Sequence, residues 1–314
     1  MGRKILKAKK CQRNGQAFVK RGLKMEKTAY RKNKKRRVFR NIIVAAVLVV
    51  IVVWFCNDSG IFSVKESVLT DEKRVSMTSK EITDKENTYD KKILKRHLYD
   101  FSDVTIAFLG DSITEGINGE TGQADGLTYP EVVKEVLGAK EVYNLGVGGS
   151  TIGDYWSVAM VNRYQEIPAD TDIIVVYGGL NDVFSGTDIT MGDLETLEEN
   201  TFCGDLDTLL EGIRTHYPES QLIVVTPMDS VTIEDVRKLN PEMEPIEDYV
   251  NAIISLAEKY DADVIDLFNN NFMNSYDQGV YDAYVPGCHP LDAGYQILGE
   301  HIAKEIIRLR LENK

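Results

Sequence analysis

From Phe101 onward, short β-branched runs alternate with longer amphipathic stretches, and no other feature of the chain constrains its fold as tightly. Val104–Leu109, Glu141–Leu145, Asp172–Tyr177, Gln221–Val225 and Asp263–Leu267 read as strands. They are near-continuous apolar runs, which suits strands covered on both faces. Helix candidates lie between them. Tyr129–Leu137 follows Thr128 as a candidate N-cap, and Phe202–Tyr217 carries Phe202, Leu206, Leu209, Leu210 and Ile213 at helical spacing. Ile246–Tyr260 does likewise, and Leu291–Leu311 closes the chain. Strands alternating with helices predict an α/β domain over residues 101–314, a three-layer αβα sandwich around a five-stranded parallel sheet. A domain of this size buries a substantial core without disulfides. Ligands of such sheets bind beyond the carboxyl ends of the strands, so the residues that follow each strand carry the functional information.

The 314 residues are 43% hydrophobic and 27% charged, which excludes wholesale disorder. The net charge of −12 hides two opposed parts: residues 1–40 hold 17 Lys or Arg against Glu26 alone, so they carry +16 and leave −28 to the rest. A basic tail raises nucleic acid as a partner, but an acidic body argues against it as a substrate. The next segment explains the tail better. Ile42–Cys56 is a run of 15 apolar residues without a charge. At ~1.5 Å per residue it spans roughly 22 Å, and Arg40 can snorkel to complete a crossing. Trp54 and Phe55 stand where a cleaved signal needs small residues, so an uncleaved anchor is expected. The expected organisation is a basic cytoplasmic tail (1–40), one transmembrane helix (41–56), a polar stalk (57–100) and an extracellular domain (101–314). With four histidines and no Cys-x-x-Cys, a zinc-finger or iron–sulfur site has no ligand set, and no metal or cofactor is expected.

The strand ends are distinctive. The first is followed by Gly110-Asp111-Ser112, a serine on a tight turn. The second leads into Gly146-Val147-Gly148-Gly149-Ser150-Thr151, where glycines let backbone N–H groups approach a ligand. The third leads into Gly178-Gly179-Leu180-Asn181-Asp182, which offers a side-chain amide as an oxyanion donor. Cys288-His289-Pro290 stands just before the last helix, and His289 alone of the four histidines sits in a loop of turn residues. The glycine loop lacks the spacing and the Lys-Ser/Thr ending of a phosphate loop, so nucleotide binding is not expected.

Together the blocks Gly110-Asp111-Ser112, Gly149, Gly179-x-Asn181-Asp182 and His289-Pro290 resemble those of the SGNH hydrolases, also called GDSL esterases, in the family's order. The resemblance covers about residues 101–311 and implies a flavodoxin-like sheet. It implies Ser112 as nucleophile and His289 as general base. The N–H groups of Ser112 and Gly149 and the amide of Asn181 would form the oxyanion hole. The chemistry agrees, since a serine hydroxyl needs a base and ester cleavage needs donors where negative charge develops.

One departure stands out. The family's Asp-x-x-His would put an aspartate at position 286, and this chain has Pro286. Three readings remain open: a backbone carbonyl such as that of Pro286 orients His289, as in the family's Ser-His dyads; Asp282 folds back to do so; or the site is impaired and the domain binds glycan without hydrolysis. Asp292 is expected to cap the last helix, Asp111 to shape its turn and Asp182 to organise the third loop. Gly146 and Gly148 are expected to serve backbone shape, and Tyr155 and Trp156 to pack in a helix. Cys203 and Cys288 are either a disulfide or two thiols. His97 is expected in solvent, His216 at a helix end and His301 on the outer face of the last helix. The expected activity is hydrolysis of small acyl esters, with O-acetylated envelope carbohydrate as the substrate suggested by an extracellular anchor. An acyltransferase would use the same residues.

Overall fold

The structure, a computed structural model, describes residues 71–312 apart from 98, 156–157 and 186–189. The expected tail and anchor, the first part of the stalk and Trp156 lie outside the described residues. Among the described residues no helix is long and apolar enough to cross a membrane.

Five strands form one sheet: β1 (Thr105–Gly110), β2 (Glu141–Gly146), β3 (Ile173–Tyr177), β4 (Gln221–Val225) and β5 (Asp263–Ile265). Their order is β2-β1-β3-β4-β5, and every pairing is parallel. The chain steps outward from β1 to β2 and then crosses back to β3, so the crevice of this doubly wound sheet opens at the end of β1. The register sharpens the point. Gly110, the last residue of β1, pairs with Gly146 on one side and Tyr177 on the other. Three strands therefore end level, and the segments that follow them meet.

The helices that bear on the site are α1 (Ser79–Leu94), α2 (Ser112–Glu115), α3 (Tyr129–Leu137), α4 (Leu180–Ser185), α5 (Phe202–His216), α6 (Thr232–Leu239), α7 (Ile246–Lys259), α8 (Gln278–Ala283) and α9 (Asp292–Glu312). Alternate strand residues feed two cores. Ala107, Leu109, Ile174, Val176, Leu222 and Val224 pack with α5 and α7, whereas Ile106, Phe108, Ile173, Val175, Ile223 and Val225 pack with α3 and α9. The result is the expected αβα sandwich. Sequence signals set several boundaries. Thr128 and Glu131 form a capping box that opens α3, and Gly138 closes it in the left-handed conformation.

The expected stalk needs correction. Residues 79–94 form a helix that is part of the folded unit. The Thr78–Glu81 capping box starts α1, and its buried residues are Ser79, Ile82, Thr83, Glu86 and Asp90. Four of those five are polar, so the hydrophobic periodicity that marks a packed helix is absent. Their partners lie mainly on α9 and the loop after β5. Asp90 Oδ2 is 2.8 Å from Nδ1 of His301, and Asp90 Oδ1 is 3.3 Å from Lys304 Nζ. Asn87 donates to Glu300 (2.8 Å), and the Thr83 hydroxyl accepts from Met273 N–H (3.0 Å). Arg74 pairs with Glu86. His301 is therefore buried and stacked on Phe272 rather than facing outward. Glu86, Asp90 and His301 bring ligand-type atoms within 4.8 Å of one another, but Arg74 and Lys304 already neutralise the carboxylates. His97 is half-buried, edge-on to Phe101.

Removing one member of a buried ionic group strands the others. Asp90→Ala should cost about 3–5 kcal/mol in urea unfolding. A loss within about 0.5 kcal/mol, as for a solvated linker, would contradict this packing.

Candidate active site

The first segment begins with a capped turn. Asp111 caps α2, its Oδ1 accepting the Ile113 N–H at 2.9 Å. Ser112 is the first residue of α2, so its own N–H has no carbonyl one turn back within the helix. Asp111 is buried, and burial pushes its carboxyl up to about 7 against the pull of the Ile113 bond. Shaping the turn is what this residue was expected to do.

The second segment fits against the first. A Cβ on Gly146 would lie 2.1 Å from Glu115 N, so only glycine lets β2 end beneath α2. Asn144 ties the two, donating to Thr114 O (2.7 Å) while its Oδ1 accepts from Gly146 N–H (2.9 Å). Gly149 has φ +74°, and the space where a side chain would stand is open. The left-handed conformation, rather than crowding, selects glycine there.

The third segment is strapped to the second. Buried Asp182 accepts from Ile152 N–H (2.9 Å) and Gly153 N–H (3.0 Å). Burial pushes its carboxyl up to about 6, with both bonds opposing. Asn181 spends one amide hydrogen on Ser150 O (3.0 Å), which leaves the other for the crevice. Tyr155 lies in a turn of this region and packs against the core, without the helix expected there.

The fourth segment brings the histidine. Ser230 and Ser275 hydroxyls both donate to Gly287 O (3.1 and 2.7 Å), and Gly119 N–H donates to Pro290 O (2.9 Å). Between these anchors, His289 Nε2 lies 2.8 Å from Ser112 Oγ. Burial holds the imidazole below its ordinary 6.5. Asp292 begins α9 rather than capping it, and its carboxylate accepts from Asn118 (3.1 Å) and Leu127 N–H (3.3 Å).

Ser112, Gly149, Asn181 and His289 thus line one crevice of about 240 Å³. Its apolar wall is Ile113, Ile117, Leu180 and Phe184. Neither candidate for orienting His289 does so. Asp282 is exposed on α8 and accepts from Gln278 one turn back (2.7 Å). Pro286 stands beside Gly119, and the contact at Nδ1 is Cys288 Sγ, 3.7 Å away. Cys203 and Cys288 are free thiols. Sequence reasoning missed Phe184 and the Nδ1 contact of Cys288. Phe184 lies three residues beyond Asn181, one helical turn along α4 and into the crevice.

Residues 108–297 match the model of the GDSL-like lipase/acylhydrolase family. The chain belongs to that family. It is a carboxylic ester hydrolase. Several solved structures agree in fold. A protein from Lactobacillus plantarum is 26% identical at TM-score 0.55, over 67% of this chain and 97% of its own. A possible lipase from Chitinophaga pinensis is 20% identical at TM-score 0.52, over 67% and 100%. The inhibitor-bound aryl esterase of M. smegmatis is 17% identical at TM-score 0.50, over 66% and 99%. A search of curated proteins gives no match.

The buried Asp111 of this GDSL hydrolase gives a stability test. Its folded carboxyl sits near 7 against an ordinary 3.8, so the native state binds a proton that the unfolded chain has released between those values. Stability is unaffected below that window, falls as pH rises through it and is flat above it. Asn keeps the capping oxygen and removes the charge. In Asp111→Asn the stability lost between pH 5 and pH 8 should shrink by roughly 2–3 kcal/mol by urea titration. An unchanged difference would mean that Asp111 ionises freely.

Proposed function

We propose that this chain is a serine esterase of small acyl esters that works through an acyl-Ser112 intermediate. The observation that carries the reading is the 2.8 Å approach of His289 Nε2 to Ser112 Oγ, at the mouth of a crevice lined by Gly149 and Asn181. His289 Nε2 takes the Ser112 proton as Oγ attacks the ester carbon. The N–H groups of Ser112 and Gly149 and the Asn181 amide receive the negative oxygen, each such donor being worth about 2.7–4 kcal/mol. The imidazolium returns the proton to the departing alcohol. Water then attacks the acyl-enzyme and gives its proton to Nε2, which passes it to Ser112 Oγ as the acyl–oxygen bond breaks and the acid leaves. Transfer to another hydroxyl would use the same steps with a different acceptor.

The crevice size and the Phe184, Leu180 and Ile117 wall favour a short acyl group. O-acetylated envelope carbohydrate is the substrate class we favour. Its support is the sequence: a basic tail and an apolar run at 42–56 argue for a single-pass anchor with the domain outside the cell.

Hydrolysis of p-nitrophenyl acetate by the full chain should exceed buffer and vanish in Ser112→Ala. Identical rates for the two proteins would remove the esterase reading, once bulkier esters have been tried. The base must be neutral to act, and burial lowers its pKa. The acid limb of kcat/KM is therefore expected below pH 6.5. A limb above pH 7 would require a charged partner at Nδ1.

A further inference from the structure

His289 can accept the Ser112 proton only through an Nε2 lone pair, so its ring hydrogen must sit on Nδ1. That N–H needs an acceptor to hold the tautomer and the ring angle. In the serine proteases an aspartate does this, and its loss costs about 10⁴ in turnover. Here no carboxylate bonds the ring. Among the described residues, His289 bonds Ser112 and Cys288 only.

We propose that Cys288 is the positioning residue of this site, its sulfur accepting the Nδ1–H of His289 in place of a carboxylate. The Sγ–Nδ1 distance is 3.7 Å, within reach of an N–H···S bond. The sulfur is held in turn. The Thr232 hydroxyl, at the start of α6, lies close enough to favour the thiolate form of this sulfur. The peptide just before it is fixed by the two serine hydroxyls on Gly287 O, and the residue just after His289 by Gly119. The backbone on both sides of the Cys288-His289 pair is thus held from three separate segments. Burial keeps the thiol neutral, so it directs the ring without charge–charge attraction. Its effect is accordingly expected to be far smaller than that of an aspartate. Tyr295 and Asp111 are the other titratable groups near the sulfur, and neither bonds the imidazole.

The inference rests on the esterase reading, and the two are separable in one set of measurements. Steady-state kinetics of the full chain on p-nitrophenyl acetate are compared with Cys288→Ser, Cys288→Val, Cys288→Ala and Ser112→Ala. Valine fills the sulfur's space without an acceptor, whereas serine restores one. Cys288→Val and Cys288→Ala should lower kcat about tenfold with KM nearly unchanged, the size of one modest hydrogen bond. Cys288→Ser should recover most of that loss. The acid limb of kcat/KM should move to lower pH in Cys288→Val, because an acceptor at Nδ1 favours the imidazolium. A purely structural role would leave the limb in place. Parental kcat in Cys288→Val, or Cys288→Ser as slow as Cys288→Ala, overturns the proposal while Ser112→Ala still reports the esterase. A parent no faster than Ser112→Ala overturns both. If a variant melts early, the serine variant and the pH limb still decide.

Discussion

The pairing of Gly110 on both sides sets the geometry of everything downstream. Because β1 lies between β2 and β3 and both end level with it, Ser112, Gly149 and Asn181 emerge from three separate crossovers within reach of one crevice. β1 and β3 are buried along their whole length, whereas the more exposed β2 is tied to the turn after β1 by the Asn144 side chain. The local devices then finish the work. Asp111 closes the turn under Ser112, and Asp182 straps the second loop to the third. Both carboxylates pay a desolvation cost that the backbone N–H groups only partly offset.

The histidine reaches the crevice by a different route. It comes from a loop without a strand of its own, so its position rests on hydrogen bonds rather than on sheet register. Ser230, Ser275 and Gly119 contribute these from three distant parts of the chain. The arrangement separates two tasks that an aspartate would combine. Backbone anchors fix where the imidazole is, and a neutral neighbour at Nδ1 is left to influence how the ring turns.

β1, β3 and β4 were legible because burial on both faces leaves an almost unbroken apolar run, and Gln221–Val225 was bounded as found. β5 is shorter than expected: Asp266 turns away to accept from Thr226 Oγ1 and Asn269 N–H, each at 3.0 Å, which ends the strand at Ile265. The blocks after the strands were legible because glycines and a serine at a strand end have few structural reasons to stand together. Two things were hidden. The contact between Cys288 and His289 depends on how a loop is held from outside itself. Helix α1 escaped notice because its inner face is made of Thr83, Glu86 and Asp90, which look like solvent residues until their partners on other segments are known.

That same polarity gives α1 a property that an oily helix would lack. Leucines can slide past one another with modest loss, but the polar side chains of this helix have assigned mates. Asp90 faces His301 and Lys304, Asn87 faces Glu300, and Glu86 faces Arg74. Shifting the helix by one turn would part every pair at once and leave Asp90 alone in the interior, a loss of several kcal/mol. The seam between α1 and α9 therefore behaves as a keyed joint: it closes in one alignment, and a slightly misplaced state has little to hold it.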